Sequence, residues 1–407
     1  MNDLVVYAGR LRADAWSRDL RPAWLLIRDG RFAEIVPGDD RPRDWPADRP
    51  HLDLGHAVVF PGLVDSHVHL TEPGDGTEPA DRPVAGNIEL GLANARTALR
   101  AGVTTVADCG GPPEAVLAVR ARAATLPDCA RALVATAPIT KVGGHSHRYG
   151  GEVHDAADVR ELVGRFAASG VDFVKVMASG GGTPGAPPWE PGLDEEALHA
   201  AVETAASHGL PVKVHCLSAG SMRDAVAAGV ALIEHGKFRN AAEDGRGFAP
   251  AVADLLARSG AVVCPTLSVG HHVLAAPPEA SGEAGAMWRR RHPHDLDDFR
   301  HLVECGVSMV SGTDAGWRFT PFDALPGELR IMAGAGMTNR QALAAATADA
   351  ATALGKGDLI GRIAPGYLAD FVASAIDPVD DLTALDHLIA VAREGHVLGP
   401  AEKKETP

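Results

Sequence analysis

Eight short β-branched runs alternate with Ala-rich segments of helical length, and both ends of the chain share a strand-and-turn texture. Together these predict an α/β protein: a (β/α)8 TIM barrel with a small β-sandwich domain built from both chain ends. The length agrees, since 407 residues suit one barrel of roughly 250 residues plus an accessory domain.

Residues 1–56 form the N-terminal part of the predicted sandwich, where LVVYAGR, AWLLIRDGRFAEIV and HLDLG read as short strands separated by turns. The barrel is expected over 57–356, with strands at Val58 to Val64, Thr104 to Asp108, Ala132 to Ala137, Phe173 to Ala178, Val212 to Cys216, Leu232 to Glu234, Val262 to Thr266 and Met309 to Ser311. Segments between them, such as Asn87 to Ala101, Asp194 to His208 and Phe248 to Ser259, are long enough for helices and mostly end in Gly. From 357 to 407 the N-terminal texture returns in GRIAPGYLADFVAS and the tail. Two insertions, Thr71 to Gly86 and Ala275 to Arg300, read as long loops that could cover one barrel face.

Composition narrows the partners. Lys plus Arg total 38 against 53 Asp plus Glu, a net charge of −15, and no basic stripe is long enough to grip a phosphate backbone, so nucleic acid is not an expected partner. Five scattered cysteines without CxxC spacing argue against a disulfide framework or a cysteine zinc site and favour a reducing cytoplasm. The opening MNDLVVYAGR is too short in apolar character for a signal peptide, and no run approaches the ~20 residues of a membrane span. The expected partner is a small-molecule or peptide substrate, with no membrane; homo-oligomer formation is left open.

Chemistry concentrates at strand ends. In FPGLVDSHVHL, His67 and His69 stand two apart, so both imidazoles project to one face and suit a shared metal. Lys175 lies inside the apolar VDFVKVMASGGG, where a bare ammonium carries a heavy desolvation penalty. Either a buried ion pair or addition of CO2 to give a metal-bridging carbamate would resolve it. His215 in VKVHCL and His235 in LIEHG close the next two strands, and Asp314 in SGTDAG closes the last, where a carboxylate can ligate metal and accept a proton from water. All six fall on the barrel face where active sites form.

In these residues, and in KVMASGG, IEHG, GTDAG and GRIAPGYLADFV, the chain resembles the amidohydrolase superfamily over nearly its whole length, most of all the imidazolonepropionase-like and prolidase-like branch. That resemblance implies two divalent metal ions, with zinc expected and manganese or iron compatible with the nitrogen and oxygen donors. It implies that His67, His69 and Asp314 hold one metal, His215 and His235 the other, and a CO2-derived carbamate on Lys175 bridges both. A metal-bridged hydroxide would cleave an amide-type C–N bond, with Asp314 shuttling the proton. KVGGHSHRYGGE resembles the branch's GGH segment, which gives His145 an oxyanion-stabilising role.

Elsewhere the chain departs from that branch. Its dipeptide-cleaving relatives read HAY after the fifth strand, whereas HCL here puts Leu217 where a tyrosine hydroxyl would be, and WRFTPFDALPGEL follows GTDAG. A pocket made more apolar by Leu217, Trp317 and Phe319 is expected, and dipeptidase specificity does not transfer directly. The expected substrate is a peptide or peptide-like amide cut near its C-terminus, its carboxylate held by Arg148, with Lys237 and Arg239 as alternatives. Rival readings are a peptide-trimming hydrolase of natural-product biosynthesis, a cyclic amide or lactone hydrolase, a mononuclear deaminase, and a catalytically inactive binding subunit. Deamination would call for a Glu shortly after His215, where Cys216, Leu217 and Ser218 stand, and the intact ligand set speaks against an inactive barrel.

Overall fold

A computed structural model describes residues 3–18, 21–45, 49–77, 82–242 and 247–399. Residues 78–81 of the first insertion, 1–2 and 46–48 of the N-terminal segment, and 400–407 of the tail lie outside the described residues. The barrel strands are Leu63–Val68 (β1), Val103–Asp108 (β2), Arg131–Val134 (β3), Val174–Met177 (β4), Val212–Cys216 (β5), Leu232–His235 (β6), Val262–Cys264 (β7) and Ser308–Met309 (β8). All run parallel, β1 to β3 in one ladder and β4 to β8 in another.

Two seams close the ladders into a barrel. On one side Ile139 N–H donates to Lys175 O and Met177 N–H to Ile139 O, both at 2.9 Å, carrying the chain beyond β3 onto β4. On the other, Ser66 N–H donates to Ser311 O (3.0 Å), Asp314 N–H to His67 O (2.8 Å) and His69 N–H to Ala315 O (2.7 Å). His67, His69 and Asp314 are thus locked to one another through main chain.

Parallel strands buried on both faces need apolar residues on both. Val106, Val134, Val176, Val214, Ile233 and Val263 pack outward against Leu99, Val119, Leu198, Leu256 and other helix residues. Val64, Ala107, Leu133, Phe173, Leu232, Cys264 and Val310 form a second, inner cluster. The helices Glu195–Ser207 and Pro250–Ser259 give way to Gly209 and Gly260 at φ 68° and 75°, left-handed turns that redirect the chain into the next strand.

Both termini build one eight-stranded sheet, in which Val58–Pro61 lies between Leu4–Leu11 and Phe371–Ser374, with Val59 opposite Ala373. The run read as one strand from Val58 to Val64 therefore divides at Gly62: its first half belongs to the terminal sheet and its second opens the barrel. Thr104 crowds Gly62 so closely that a Cβ there would lie 2.4 Å from its side chain. Along the sheet three strands separate the one bearing Phe32 from the one bearing Phe371, yet their rings approach to 6.5 Å, so the sheet curls over a shared core. Arg131 ties that sheet to the barrel through Asp370 (2.6 Å) and Glu394 (2.6 Å).

The second insertion is helical, not a loop: Pro278–Glu304 is one long helix with a kink at Gly282. Trp288, Asp295, Phe299 and Leu302 recur at helical spacing on its buried face. No helix among the described residues is long and apolar enough to cross a membrane. The five cysteines are unpaired, four of them buried and Cys305 exposed.

Candidate metal centre

All six residues expected to hold metal converge at the C-terminal mouth of the barrel. His67 Nε2 and His69 Nε2 lie 3.4 Å and 3.3 Å from Asp314 Oδ1. The His235 ring stands 4.9 Å from that of His67 and 4.6 Å from that of His215, and His145 stands 4.7 Å from His215. Donor atoms of His67, His69 and Asp314 lie within 4.8 Å of one another, close enough to share a cation.

Each imidazole is oriented by a partner on its far side. His69 Nδ1 lies 2.8 Å from Gly110 O, and His215 Nε2 lies 3.0 Å from Gly180 O. A carbonyl only accepts, so these nitrogens carry the ring hydrogens, and the lone pairs of His69 Nε2 and His215 Nδ1 stay free. His67 Nδ1 is matched by the Glu234 carboxylate at 2.5 Å, and His235 Nδ1 by Thr266 Oγ1 at 2.8 Å. Burial pushes His215 and His235 well below the ordinary histidine range, which keeps both neutral.

Two lysines face the barrel interior side by side, Lys175 opposite Lys213 in the β4–β5 ladder. Their situations differ. Lys213 lies 3.0 Å from Glu234 Oε1 and also donates to Ser66 O. Lys175 is 1% exposed, and its Nζ has no hydrogen-bond partner among the described residues. Asp314 Oδ1 is likewise buried without a hydrogen bond. An orphaned amine and an orphaned carboxylate oxygen beside four histidines suit a bound metal centre.

Backbone strain gathers at the same mouth. His235 (φ 65°), Thr266 (φ 47°) and Asp314 (φ 59°) are left-handed without being glycine, at about 1–3 kcal/mol each. Asp65 helps hold the seam, accepting from His67 N–H (3.1 Å), Thr313 N–H (3.0 Å) and the Thr313 hydroxyl (2.6 Å).

His145 reaches the site from the loop after β3, its Nδ1 2.9 Å from Thr183 Oγ1, and burial pushes its pKa down to about 4. Arg148 stacks on the Tyr149 ring at 4.6 Å and pairs with Glu72 at 2.7 Å, so its charge is already matched. Leu217 is partly buried, its N–H donating to Ser179 Oγ (3.0 Å). Trp317 borders the glycine run after β4, where a Cβ on Gly182 would lie 3.5 Å from its Cζ2. With Phe319 it packs against Val269, Val273, Leu274, Met287 and Trp288, so the Pro278–Glu304 helix walls the apolar side of the mouth.

Reading the sequence had not brought Glu234, Lys213, Thr266 or Asp65 into the site. The period-2 rule carried a signal for one of them, because Lys213 precedes His215 by two and so shares its inward face.

The amidohydrolase family profile matches residues 58–400. An imidazolonepropionase of Salinispora tropica is 27% identical over 391 residues, 86% of this chain and 85% of that protein. Among solved structures, a Xaa-Pro dipeptidase with methionine bound in its active site superposes with a TM-score of 0.84 at 26% identity, covering 98% of this chain and 100% of that one. A prolidase complexed with N-methylphosphonate-L-proline gives 0.81 at 25% identity over 98% of this chain and 99% of the other.

Proposed function

Because the chain belongs to the amidohydrolase family, we propose that it is a binuclear metal-dependent hydrolase cleaving an amide or peptide C–N bond near the C-terminus of a peptide-like substrate. The carrying observation is Lys175: a buried amine without a hydrogen-bond partner, among four histidines and an unbonded Asp314 oxygen. Loss of the ammonium proton, then addition of CO2 to the neutral amine with release of a second proton, would turn that misplaced cation into an anionic metal ligand. His67, His69 and Asp314 would hold one ion and His215 and His235 the other, with zinc fitting the donor set. When bound, such ions acidify water to near neutrality and polarise the scissile carbonyl.

The chain's own residues have distinct tasks. Asp314 takes the proton of the attacking water and returns it to the leaving nitrogen. Thr183 Oγ1 accepts from Ser146 N–H (3.1 Å), leaving its own hydrogen for His145 Nδ1. That assignment puts the imidazole hydrogen on Nε2, available to the carbonyl oxygen as charge develops on it. Trp317 and Leu217 supply an apolar wall beside the scissile bond.

Similarity to a dipeptidase structure with bound methionine and to a prolidase with a phosphonate dipeptide analogue supports peptide-like substrates. The test is a panel of N-acylated dipeptides and longer peptides with free or amidated C-termini, with lactones and cyclic imides as controls. Turnover of free-acid peptides is expected. Cleavage of only the lactones or imides would remove peptide-bond hydrolysis from consideration.

A further inference from the structure

Four cations lie near the mouth. Arg148 is paired with Glu72 at 2.7 Å and Arg239 with Asp295 at 2.7 Å, and partly exposed Arg318 lies stacked 4.7 Å over Trp317. Lys237 differs from all three. It is only 6% exposed, and among the described residues its ammonium makes no direct hydrogen bond or ion pair; the strongest opposite charge acting on it, Asp295, is already held by Arg239. Burying a charge without a partner is costly unless something else supplies the counter-charge.

Its place in the fold indicates what that is. Lys237 follows His235 and Gly236, both left-handed (φ 65° and 57°), and its N–H donates to Cys216 O at 3.3 Å. The double reversal sets Lys237 against the end of β5, two residues past a residue of the metal centre. Across from this loop stands the face of the Pro278–Glu304 helix that bears Trp288, His292 and Asp295, spaced by four and three. The Arg239–Asp295 pair joins loop to helix, and Arg239 lies 5.7 Å over the Trp288 ring. Trp288 Nε1, His292 Nδ1 and Asp295 Oδ1 are all buried without a hydrogen bond. One wall of the mouth therefore carries several unused polar groups, the ammonium of Lys237 foremost.

We propose that Lys237 binds the free carboxylate of the substrate, which makes the protein selective for acids over amides at the C-terminal side of the scissile bond. This rests on the peptide-hydrolase reading above. An ammonium donating to a carboxylate away from bulk water forms a charge-assisted hydrogen bond stronger than the neutral kind, and a terminal amide cannot replace it. Arg148, the residue the sequence favours for this task, already spends its charge on Glu72.

Calorimetric titration of the metal-loaded protein with L-methionine and L-methioninamide, which carry no N-acyl bond to cleave, tests the assignment apart from peptide hydrolysis. Wild type is expected to bind the acid about tenfold or more tightly than the amide. Lys237→Met should erase that preference at unchanged metal content, while Arg148→Ala and Arg318→Ala keep it. Lys237→Arg should restore it in part. Lys237→Gln, similar in size, serves if the methionine variant folds poorly. Equal binding of acid and amide by wild type, or a preference that survives loss of Lys237, overturns the proposal. Acid-selective binding through Lys237 in a protein that hydrolyses none of the peptides would uphold the anchor and refute the peptidase reading. Peptide hydrolysis indifferent to Lys237 would do the reverse.

Discussion

His67 Nδ1 lies 2.5 Å from Glu234 Oε2, and both side chains are fully buried. The other oxygen of that carboxylate lies 3.0 Å from the Lys213 ammonium, so one anion serves a histidine of the mouth and a cation of the barrel interior. The contact fixes the His67 tautomer, and the neighbouring cation keeps Glu234 ionised, its pKa held well below the usual range by Lys213 and His67 against the effect of burial.

Replacing Glu234 by Gln should therefore weaken metal binding about 10- to 100-fold, read by chelator competition. Stability should fall too, by about 3–5 kcal/mol, because Lys213 is left as an uncompensated buried charge. Adding Lys213→Met should recover stability in denaturant melts without recovering metal affinity. Unchanged affinity in the single variant would show that Glu234 does not orient His67 for metal.

Lys175→Ala should lose both metal and activity, with short carboxylates or bicarbonate returning part of the activity. Elemental analysis of wild type should give about two ions per chain. Full metal content and turnover in the variant would rule out the binuclear reading.

In Asp314→Asn the shape is kept and the proton acceptor removed. A folded protein by circular dichroism, with kcat lower by about 10²- to 10⁴-fold, is the expected result. A near-normal rate would assign the proton to another base.

Glu328, behind the strand end that bears Thr266, governs a pH effect on stability. It is fully buried and accepts from Leu267 N–H (2.9 Å) and Ser268 N–H (2.5 Å), yet burial pushes its pKa up to about 7. A carboxyl that holds its proton more tightly folded than unfolded contributes fully below the unfolded value, and the contribution fades as pH rises through the folded one. The wild-type unfolding free energy should thus lose up to about 3 kcal/mol of this contribution between pH 4.5 and 8. Glu328→Gln should have a flatter profile, and identical profiles would remove Glu328 as the source.

Strand ends carried most of what the sequence could reveal. Val212–Cys216 was legible to the residue because its valines alternate with Lys213 and His215 between Pro211 and the Ser218 that caps the next helix. The division at Gly62 was not, because the run around it is unbroken in hydrophobicity and only pairing with Phe371–Ser374 assigns its first half to another sheet. The Pro278–Glu304 helix was hidden by Gly282 and Pro293, local breakers outweighed by a packed face of Trp288, Phe299 and Leu302. At the mouth, residues with recognisable metal chemistry were visible from their positions. Glu234 and Lys213 were not, because their importance lies in a contact across strands, with each other and with His67.

The strand order of the terminal sheet also sets a timetable for biosynthesis. Val58–Pro61 lies between Leu4–Leu11, made before it, and Phe371–Ser374, made long after it, so it leaves the ribosome with an open edge. That later partner, about 300 residues on, arrives only after roughly 15–60 s at about 5–20 residues per second. For that interval Val58 and Phe60 lack their final cover and leave an apolar strand edge exposed to mispairing.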